Sequence, residues 1–599
     1  MENVYRYYNR TIDACSQRAK DLQKKIHRMG TARLALVVGA VAAVWFLRER
    51  DWQEIAGVVS LFAVAFAVLM VLHTLLSHKK SYTEALRELC ANELKGLHYD
   101  FSAFDGAAGK IAGAPSFCSD LDIFGPHSFF QSVNRTVTAI GHERLAAWFM
   151  EPLTDKDAIV QRQEAVKELA PLAGLRQDFY VNGILRAERP AEDTRLLSHL
   201  MNTSTVFARS RFRKVAVRTV PVLWMAVFVC FIGGYMPLPL FSLLFILSAL
   251  VAYIRIRQIN RLHRTVDTLE KILVACSRLM KCIEDRDFTS GILSGIRRQL
   301  HGKEGTASRA IKKLSSHIGV LDQRMTLTGI LLNIFTFRDI QACISIEQWK
   351  SAHGTEAADW FDALACFDAL SSLAGFAFNH PDYIYPILSD TYFRMSGKAL
   401  GHPLIRRDVC VKNPVAIETS PQFLIITGAN MAGKSTYLRT VGINFLLATI
   451  GAPVYAGELS LCPATMVTSL RTSDSLTDSE SYFFAELKRL KMIIDRLKQG
   501  EKLFIILDEI LKGTNSADKQ KGSIALMKQL ISYKACGIIA THDLALGLLE
   551  QKFPGQAKNF RFEADITGDA LTFSYQLKEG IAQNMNACFL MQKMGITVD

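Results

Sequence analysis

At 599 residues the chain is too long for one hydrophobic core, which excludes a single small domain and predicts two to four. Hydrophobic residues make up 49% and mean hydropathy is +0.14, high for a wholly soluble protein, while 21% charged residues exclude a chain lying mostly in lipid. The net charge of +13 suits either nucleic acid or the anionic cytoplasmic leaflet, and twelve scattered cysteines without a C-x-x-C pair exclude a disulfide framework or zinc site and read as reduced thiols.

Residues 1–30 read as a charged helix. A first apolar hairpin follows over 31–77, from the blocks Leu34–Leu47 and Ile55–Leu76. The first block is short for a span of about 20 residues unless residues 31–33 and the loop join it. Residues 81–99 predict an amphipathic helix, 101–118 a Gly/Ala/Ser-rich linker, and 119–208 further helices. A second hairpin runs over 215–254, from Val215–Tyr235 and Leu238–Ile254.

Basic residues flank both hairpins. Lys24, Lys25, Arg28 and Arg33 precede the first; Lys79, Lys80 and Arg87 follow it. Arg209, Arg211, Arg213, Lys214 and Arg218 precede the second; Arg255, Arg257, Arg261 and Arg264 follow it. The positive-inside rule then predicts a multi-pass protein of the cell membrane, with both termini and all large soluble parts in the cytoplasm. Some thirty polar, charged residues before the first block argue against a signal peptide. Residues 256–390 continue in helical period.

Near Tyr383 the texture changes to short apolar runs alternating with helices: FLIIT at 423–427, LFIIL at 503–507, GIIAT at 537–541. These read as buried parallel strands of an α/β domain. The expected fold is therefore mixed: α-helical membrane hairpins and a helical core, then a C-terminal α/β P-loop domain. The expected units are 1–100, then 119–390 interrupted by 215–254, then 391–599.

FLIIT runs directly into Gly428, Ala429, Asn430, Met431, Ala432, Gly433, Lys434, Ser435 and Thr436, and a helical pattern follows. This is G-x-x-x-x-G-K-[ST] in strand–loop–helix context. The two glycines let the backbone curl so that its N–H groups face a phosphate, and the helix N-terminus adds favourable dipole charge. Lys434 is expected to reach the β- and γ-phosphates of ATP, Ser435 to ligate Mg²⁺, and Thr436 to donate to the α-phosphate. Seventy-four residues after Lys434, Asp508 and Glu509 end the LFIIL strand. Asp508 is placed for the Mg²⁺ site. Glu509 is placed to orient and deprotonate water, with a helix N-cap and first-turn acid as the structural alternative. His542 ends the GIIAT strand, where a polar residue can sense the γ-phosphate.

These elements resemble the ATPase of the MutS family, within the broad ABC-type class. The family's G-P-N-M-G-G-K-S-T corresponds to GANMAGKST, its L-D-E-x-x-x-G-T to LDEILKGT (Leu507–Thr514), and its A-T-H to Ala540-Thr541-His542. Its S-T-F-x-x-E corresponds to SYFFAE (Ser481–Glu486), with Asp474 upstream. The resemblance implies that Ser481 reaches the partner's γ-phosphate, and so a homodimer with two composite sites. Upstream, Asp120–Val166 looks like the start of the family's core, through Asn134-Arg135-Thr136, Gly141, Arg144, Leu145, Glu151-Pro152-Leu153 and Arg162-Gln163; Gly401-His402-Pro403 resembles the segment before the ATPase strands.

The departures are equally specific. The family's N-terminal mismatch-reading domain, with its Phe-x-Glu wedge, has no counterpart, and Lys519-Gln520-Lys521-Gly522 follows Asp518 where the family continues with Asp-Gly. A shortened DNA clamp is a candidate over 296–324, with Arg297, Arg298, Lys303, Arg309, Lys312, Lys313 and Arg324; a solvated helical hairpin is the plainer alternative. The resemblance thus implies an ATPase whose ATP cycle closes a dimer on DNA, to which the apolar hairpins add a membrane anchor. A membrane ATPase acting on a non-DNA partner is the alternative, and four short-looped spans make a transporter the weakest.

Overall fold

A computed structural model describes residues 1–185, 211–254, 256–266, 269–302, 305–429, 431–471, 482–511, 515–567 and 570–583. Helix α1 (Glu2–Phe46) continues unbroken from the charged segment into the first apolar block, and α2 (Trp52–Leu97) returns beside it. At 1.5 Å per residue α1 is about 68 Å long. The most apolar stretches of both helices have no residue buried in the protein. Their polar halves pack instead: Val4 and Tyr8 meet Cys90 and Leu97. The Tyr8 hydroxyl donates to Asn379 Oδ1 (2.8 Å), and Asn379 Nδ2 donates to Glu93 Oε2 (2.8 Å). Arg135 grips the same carboxylate in bidentate fashion (2.6 and 3.2 Å).

Residues 101–118 are no linker. Phe104 and Ala107 are buried, Gln131 Nε2 donates to the Phe104 carbonyl (2.8 Å), and Asn134 Nδ2 to that of Asp105 (3.0 Å). The small residues serve close approach: a Cβ on Gly106 would stand 2.1 Å from the Gly125 carbonyl oxygen. The core helices follow as α3 (Ser116–Asp120), α4 (Phe129–Val133), α5 (Ala139–Met150), α6 (Lys156–Leu169) and α7 (Ala173–Ile184).

The second pair of apolar helices is α8 (Arg211–Ile232) and α9 (Leu238–Tyr253). With 16 residues, α9 is about 24 Å long, just under the roughly 17 residues that a span of a bilayer core of about 30 Å needs. After them come α10 (Ile256–Val266), α11 (Leu269–Glu284) and α12 (Gly291–Leu300). The two-residue strands β1 (His301–Gly302) and β2 (Gly305–Thr306) then pair antiparallel and turn the chain into α13 (Ala307–Asp322). A ten-residue helix α14 (Leu327–Thr336) precedes α15 (Arg338–Asn379). The 42-residue α15 is also long and apolar enough to cross a membrane, yet 72% of its most apolar window is buried, so it is the axis of the helical core.

The α/β part opens with β3 (Ile387–Leu388), β4 (Met395–Leu400) and β5 (Asn413–Ile417). Then come β6 (Gln422–Gly428), α16 (Lys434–Thr449), β7 (Glu458–Leu461), β8 (Thr465–Ser469), α17 (Tyr482–Lys498) and β9 (Leu503–Asp508). The remainder is α18 (Ser516–Ser532), β10 (Cys536–Thr541), α19 (Leu549–Lys552), β11 (Ala557–Phe562), β12 (Ala564–Thr567), β13 (Ala570–Phe573) and β14 (Lys578–Glu579). The main sheet runs β14-β11-β6-β10-β9-β8, parallel except at β14. A separate sheet, β3-β7-β4-β5, was not visible as a run of apolar residues.

The three apolar runs occupy β6, β9 and β10, with β10 between the other two. Each is buried on both faces: Leu424 and Ile426 face the large helical core, whereas Phe423 and Ile425 face a second core built with α17 and α18. That burial from both sides explains the unbroken hydrophobic runs.

Candidate nucleotide-binding site

The site lies where β6 turns into α16. Gly428 has φ of 150°, and a Cβ there would stand 2.4 Å from the Phe562 carbonyl oxygen. Gly433 has φ of 108°, and its Cβ would meet the Tyr575 ring at 3.1 Å. Both positions therefore require glycine. Between them Ala429 and Ala432 are buried, whereas Met431 is left-handed (φ 66°) with its side chain outward. Asn430 lies outside the described residues.

Lys434 begins α16 and is buried. Its ammonium donates to the carbonyls of Gly428 (2.8 Å) and Ala429 (2.9 Å) and stands 3.3 Å from His542 Nε2. Ser435 and Thr436 face outward in the first turn, beside the backbone N–H groups that a helix N-terminus presents to anions. Ser435 Oγ donates to Asp508 Oδ2 across 2.6 Å, tying this turn to the end of β9. A hydroxyl and a carboxylate oxygen at this separation are hard donors that fit Mg²⁺, which usually takes one or two protein oxygens and the rest from phosphate and water. Among the described residues no group of three His, Cys, Asp or Glu forms a richer cation cage.

Glu509 follows Asp508 in a left-handed conformation (φ 49°), its N–H donating to the Ala540 carbonyl (2.9 Å). Its Oε1 lies 2.5 Å from His542 Nε2, so Lys434, His542 and Glu509 connect the ends of β6, β10 and β9. Register explains the meeting: Thr541 pairs with Thr427 and Ala540 with Asp508, bringing three strand ends level.

Ser481 and Asp474 lie outside the described residues, so the partner-reaching role is unaddressed by this geometry. Two contributors escaped sequence reasoning. Glu486 is buried and accepts from the Leu511 N–H (2.6 Å), holding the turn after Glu509; its place in SYFFAE was the available signal. Asp120 is buried between core and sheet, accepting from Thr468 Oγ1 (2.5 Å), Leu470 N (3.2 Å) and Arg471 N (2.9 Å). Asp122 beside it pairs with Arg439 of α16 (2.8 Å). The helical core thus holds both the helix that starts at the loop and the strand end leading to Ser481.

The clamp candidates divide. Arg298, Arg309, Lys312 and Lys313 are exposed on α12 and α13, while Arg297 is engaged by the Glu284 carbonyl (3.3 Å) and Asp287 (3.1 Å). Lys303 lies outside the described residues. Arg324 must be removed from the set: it is buried, bonded to Asn260 Oδ1 and 4.0 Å from Asp339, so its charge is spent inside the fold.

Comparisons with known proteins point to one family. The family model for MutS domain III matches residues 118–374 and that for MutS domain V matches 424–595, together more than half of the chain. The DNA mismatch repair protein MutS of Thermotoga petrophila is 32% identical over 225 residues, 37% of this chain and 28% of that protein. Human MutS protein homolog 4 is 30% identical over 236 residues, 38% of this chain and 24% of the relative. The DNA mismatch repair protein MutS of Chlorobaculum tepidum is 26% identical over 507 residues, 76% of this chain and 55% of the relative. The chain thus spans from about a quarter to about half the length of these curated relatives. With a domain III match on its helical core and a domain V match on its α/β sheet, the chain belongs to the MutS family.

Proposed function

We propose that this protein is a membrane-anchored MutS-like ATPase: it binds ATP with Mg²⁺ at residues 428–436, hydrolyses it, and uses the cycle to close a homodimer on DNA. The observation that carries the reading is the convergence of Lys434, His542 and Glu509 at three adjacent strand ends beside the loop. The backbone N–H groups of the loop and first helical turn hold the phosphates, and Lys434 swings from the Gly428 and Ala429 carbonyls to the β- and γ-oxygens. Mg²⁺, held by Ser435 and Asp508, would supply charge neutralisation on those oxygens. Glu509 takes the proton of the attacking water, and His542, in contact with both Glu509 and Lys434, positions that carboxylate. Ser481 completes the partner's site, so that loss of the γ-phosphate releases the dimer.

DNA is proposed as the ligand from the name and domains of the relatives and from the exposed Arg298, Arg309, Lys312 and Lys313. Exposed apolar helices at 31–76 and 215–254, flanked by basic residues, support anchoring in the cell membrane with the soluble parts cytoplasmic. A second reading, an ATPase that acts on a non-DNA membrane partner, is favoured by α15. One end of α15 meets the second apolar pair and the other meets the stalk of the first.

ATP turnover by the full-length, detergent-solubilised protein separates the two readings. Stimulation by duplex, mismatched or branched DNA supports the first. Turnover indifferent to every DNA, together with no DNA binding at low salt, leaves the second.

A further inference from the structure

Helix α14 is too short to span a bilayer: ten residues rise about 15 Å, half of a hydrocarbon core of about 30 Å. It carries no charge, LTGILLNIFT, and its two ends differ in their neighbours. The C-terminal turn is sealed onto the α8–α9 pair. The Phe335 ring meets Trp224 edge-on at 4.9 Å and packs against Phe228 and Phe245 at 5.4 and 5.7 Å. Ser248 Oγ accepts from Trp224 Nε1 (3.1 Å) and donates to the Ile334 carbonyl (2.5 Å). Nearer its N-terminus Leu327, Leu331 and Leu332 are exposed, with Met325 just before the helix; Met325 and Leu327 are 77% and 75% exposed. This apolar surface adjoins the outward-facing residues of α8 and α9, which α14 touches directly. A contiguous exposed patch of this kind marks a binding or membrane surface.

The flanks fix how such a helix can sit. Its N-terminal end emerges from α13 through the buried Arg324, which is bonded to Asn260 of α10. Its C-terminal end turns at Phe337 (φ 51°) into α15, where Asn333 and Asp339 are locked together: the Asp339 N–H donates to Asn333 Oδ1 (3.0 Å) and Asn333 Nδ2 to Asp339 Oδ2 (3.2 Å). Polar contacts at Arg324 and at Asn333–Asp339 tie both ends to neighbouring helices, while Ile334 and Phe335 sit against Ser248, Trp224 and Phe245 near the middle of the α8–α9 pair.

We propose that α14 enters the membrane without crossing it, its exposed Met325, Leu327, Leu331 and Leu332 side chains among the phospholipid acyl chains beside α8 and α9. This rests on the membrane reading above and adds a contact that brings the start of α15 to the membrane.

The test uses the full-length protein in phosphatidylethanolamine–phosphatidylglycerol vesicles carrying a radiolabelled phospholipid. The photoreactive residue p-benzoylphenylalanine replaces, one at a time, Leu331, Leu327, Leu61, Leu247 and Lys498, all at exposed side chains. Label is expected on irradiation at 331 or 327, as at 61 and 247, and not at 498. Label at 61 and 247 but at neither 331 nor 327 overturns the placement of α14 while leaving the anchor intact. Label at none of the five positions overturns the membrane reading and this inference together.

Discussion

His542 Nε2 lies 2.5 Å from Glu509 Oε1, bridging the ends of two neighbouring parallel strands. The contact holds a carboxylate in a left-handed backbone position, where only a determined environment keeps a non-glycine residue. Strain of this kind concentrates at functional sites, and here it aims the side chain across the strand ends toward the loop.

Replacing that carboxylate is expected to separate binding from chemistry. In Glu509→Gln the amide fills the same space but cannot take a proton, so turnover is expected to fall by about 10²–10⁴-fold. ATP affinity should remain. Steady-state hydrolysis and equilibrium binding, measured on the same preparation, check this; normal turnover would assign the base elsewhere.

Gly428→Ala tests the loop's backbone rather than its chemistry. The added Cβ meets the Phe562 carbonyl oxygen at 2.4 Å, and alanine is strained at a φ of 150°. A cost of about 1–3 kcal/mol follows, with a lower unfolding temperature and weaker ATP binding. A variant as stable as the parent would show that β6 and β11 separate freely.

Asp368 predicts a pH dependence. It is fully buried on α15 and accepts from Thr138 Oγ1 (2.7 Å) and Thr138 N (2.9 Å). Burial pushes its carboxyl up to about 7, against the opposing pull of the Thr138 and Val137 hydrogen bonds. Between about pH 4 and 7 the unfolded chain has already lost the proton that the folded chain keeps. The folded state therefore binds more protons, and stability falls as pH rises through this window. Thermal unfolding between pH 5 and 7.5 should show this decline, and Asp368→Asn should flatten it. An identical slope in both proteins would refute the assignment.

The exposed cations of α13 predict a salt effect. Combining Arg309→Glu, Lys312→Glu and Lys313→Glu should weaken binding to duplex DNA without changing ATP affinity. The slope of log K against log salt should fall by about 0.9 for each phosphate that the variant no longer neutralises. An unchanged slope would leave these side chains as a solvated helix face.

The strands were legible because burial on both faces leaves no polar residue to interrupt FLIIT, LFIIL or GIIAT, and the loop because its glycines sit between a strand and a helix. Helices also occupy the four apolar blocks; those of the second pair end a few residues from the expected bounds, whereas the first two run on, from Glu2 to Phe46 and from Trp52 to Leu97, through segments expected as separate helices. What composition hid was tertiary. Gly106 and its neighbours looked like a flexible linker, but small residues serve equally for close backbone approach, here to Gly125. Arg324 looked like another exposed cation because a basic run in sequence does not reveal which members turn inward. Asp120 acts across hundreds of residues and Glu486 across tens; the SYFFAE pattern marks Glu486 without naming its partner, and nothing local names that of Asp120. The helix α14 fell below the length of a membrane span and passed as ordinary core.

Binding of magnesium ATP by the full-length protein and by Lys434→Ala, compared in one titration series, tests the central claim most directly. The parent should bind one nucleotide per chain, and the variant, deprived of the ammonium that bridges loop and phosphates, should show no measurable binding while keeping its fold. Equal affinity in the two proteins would contradict the placement of the nucleotide at residues 428–436.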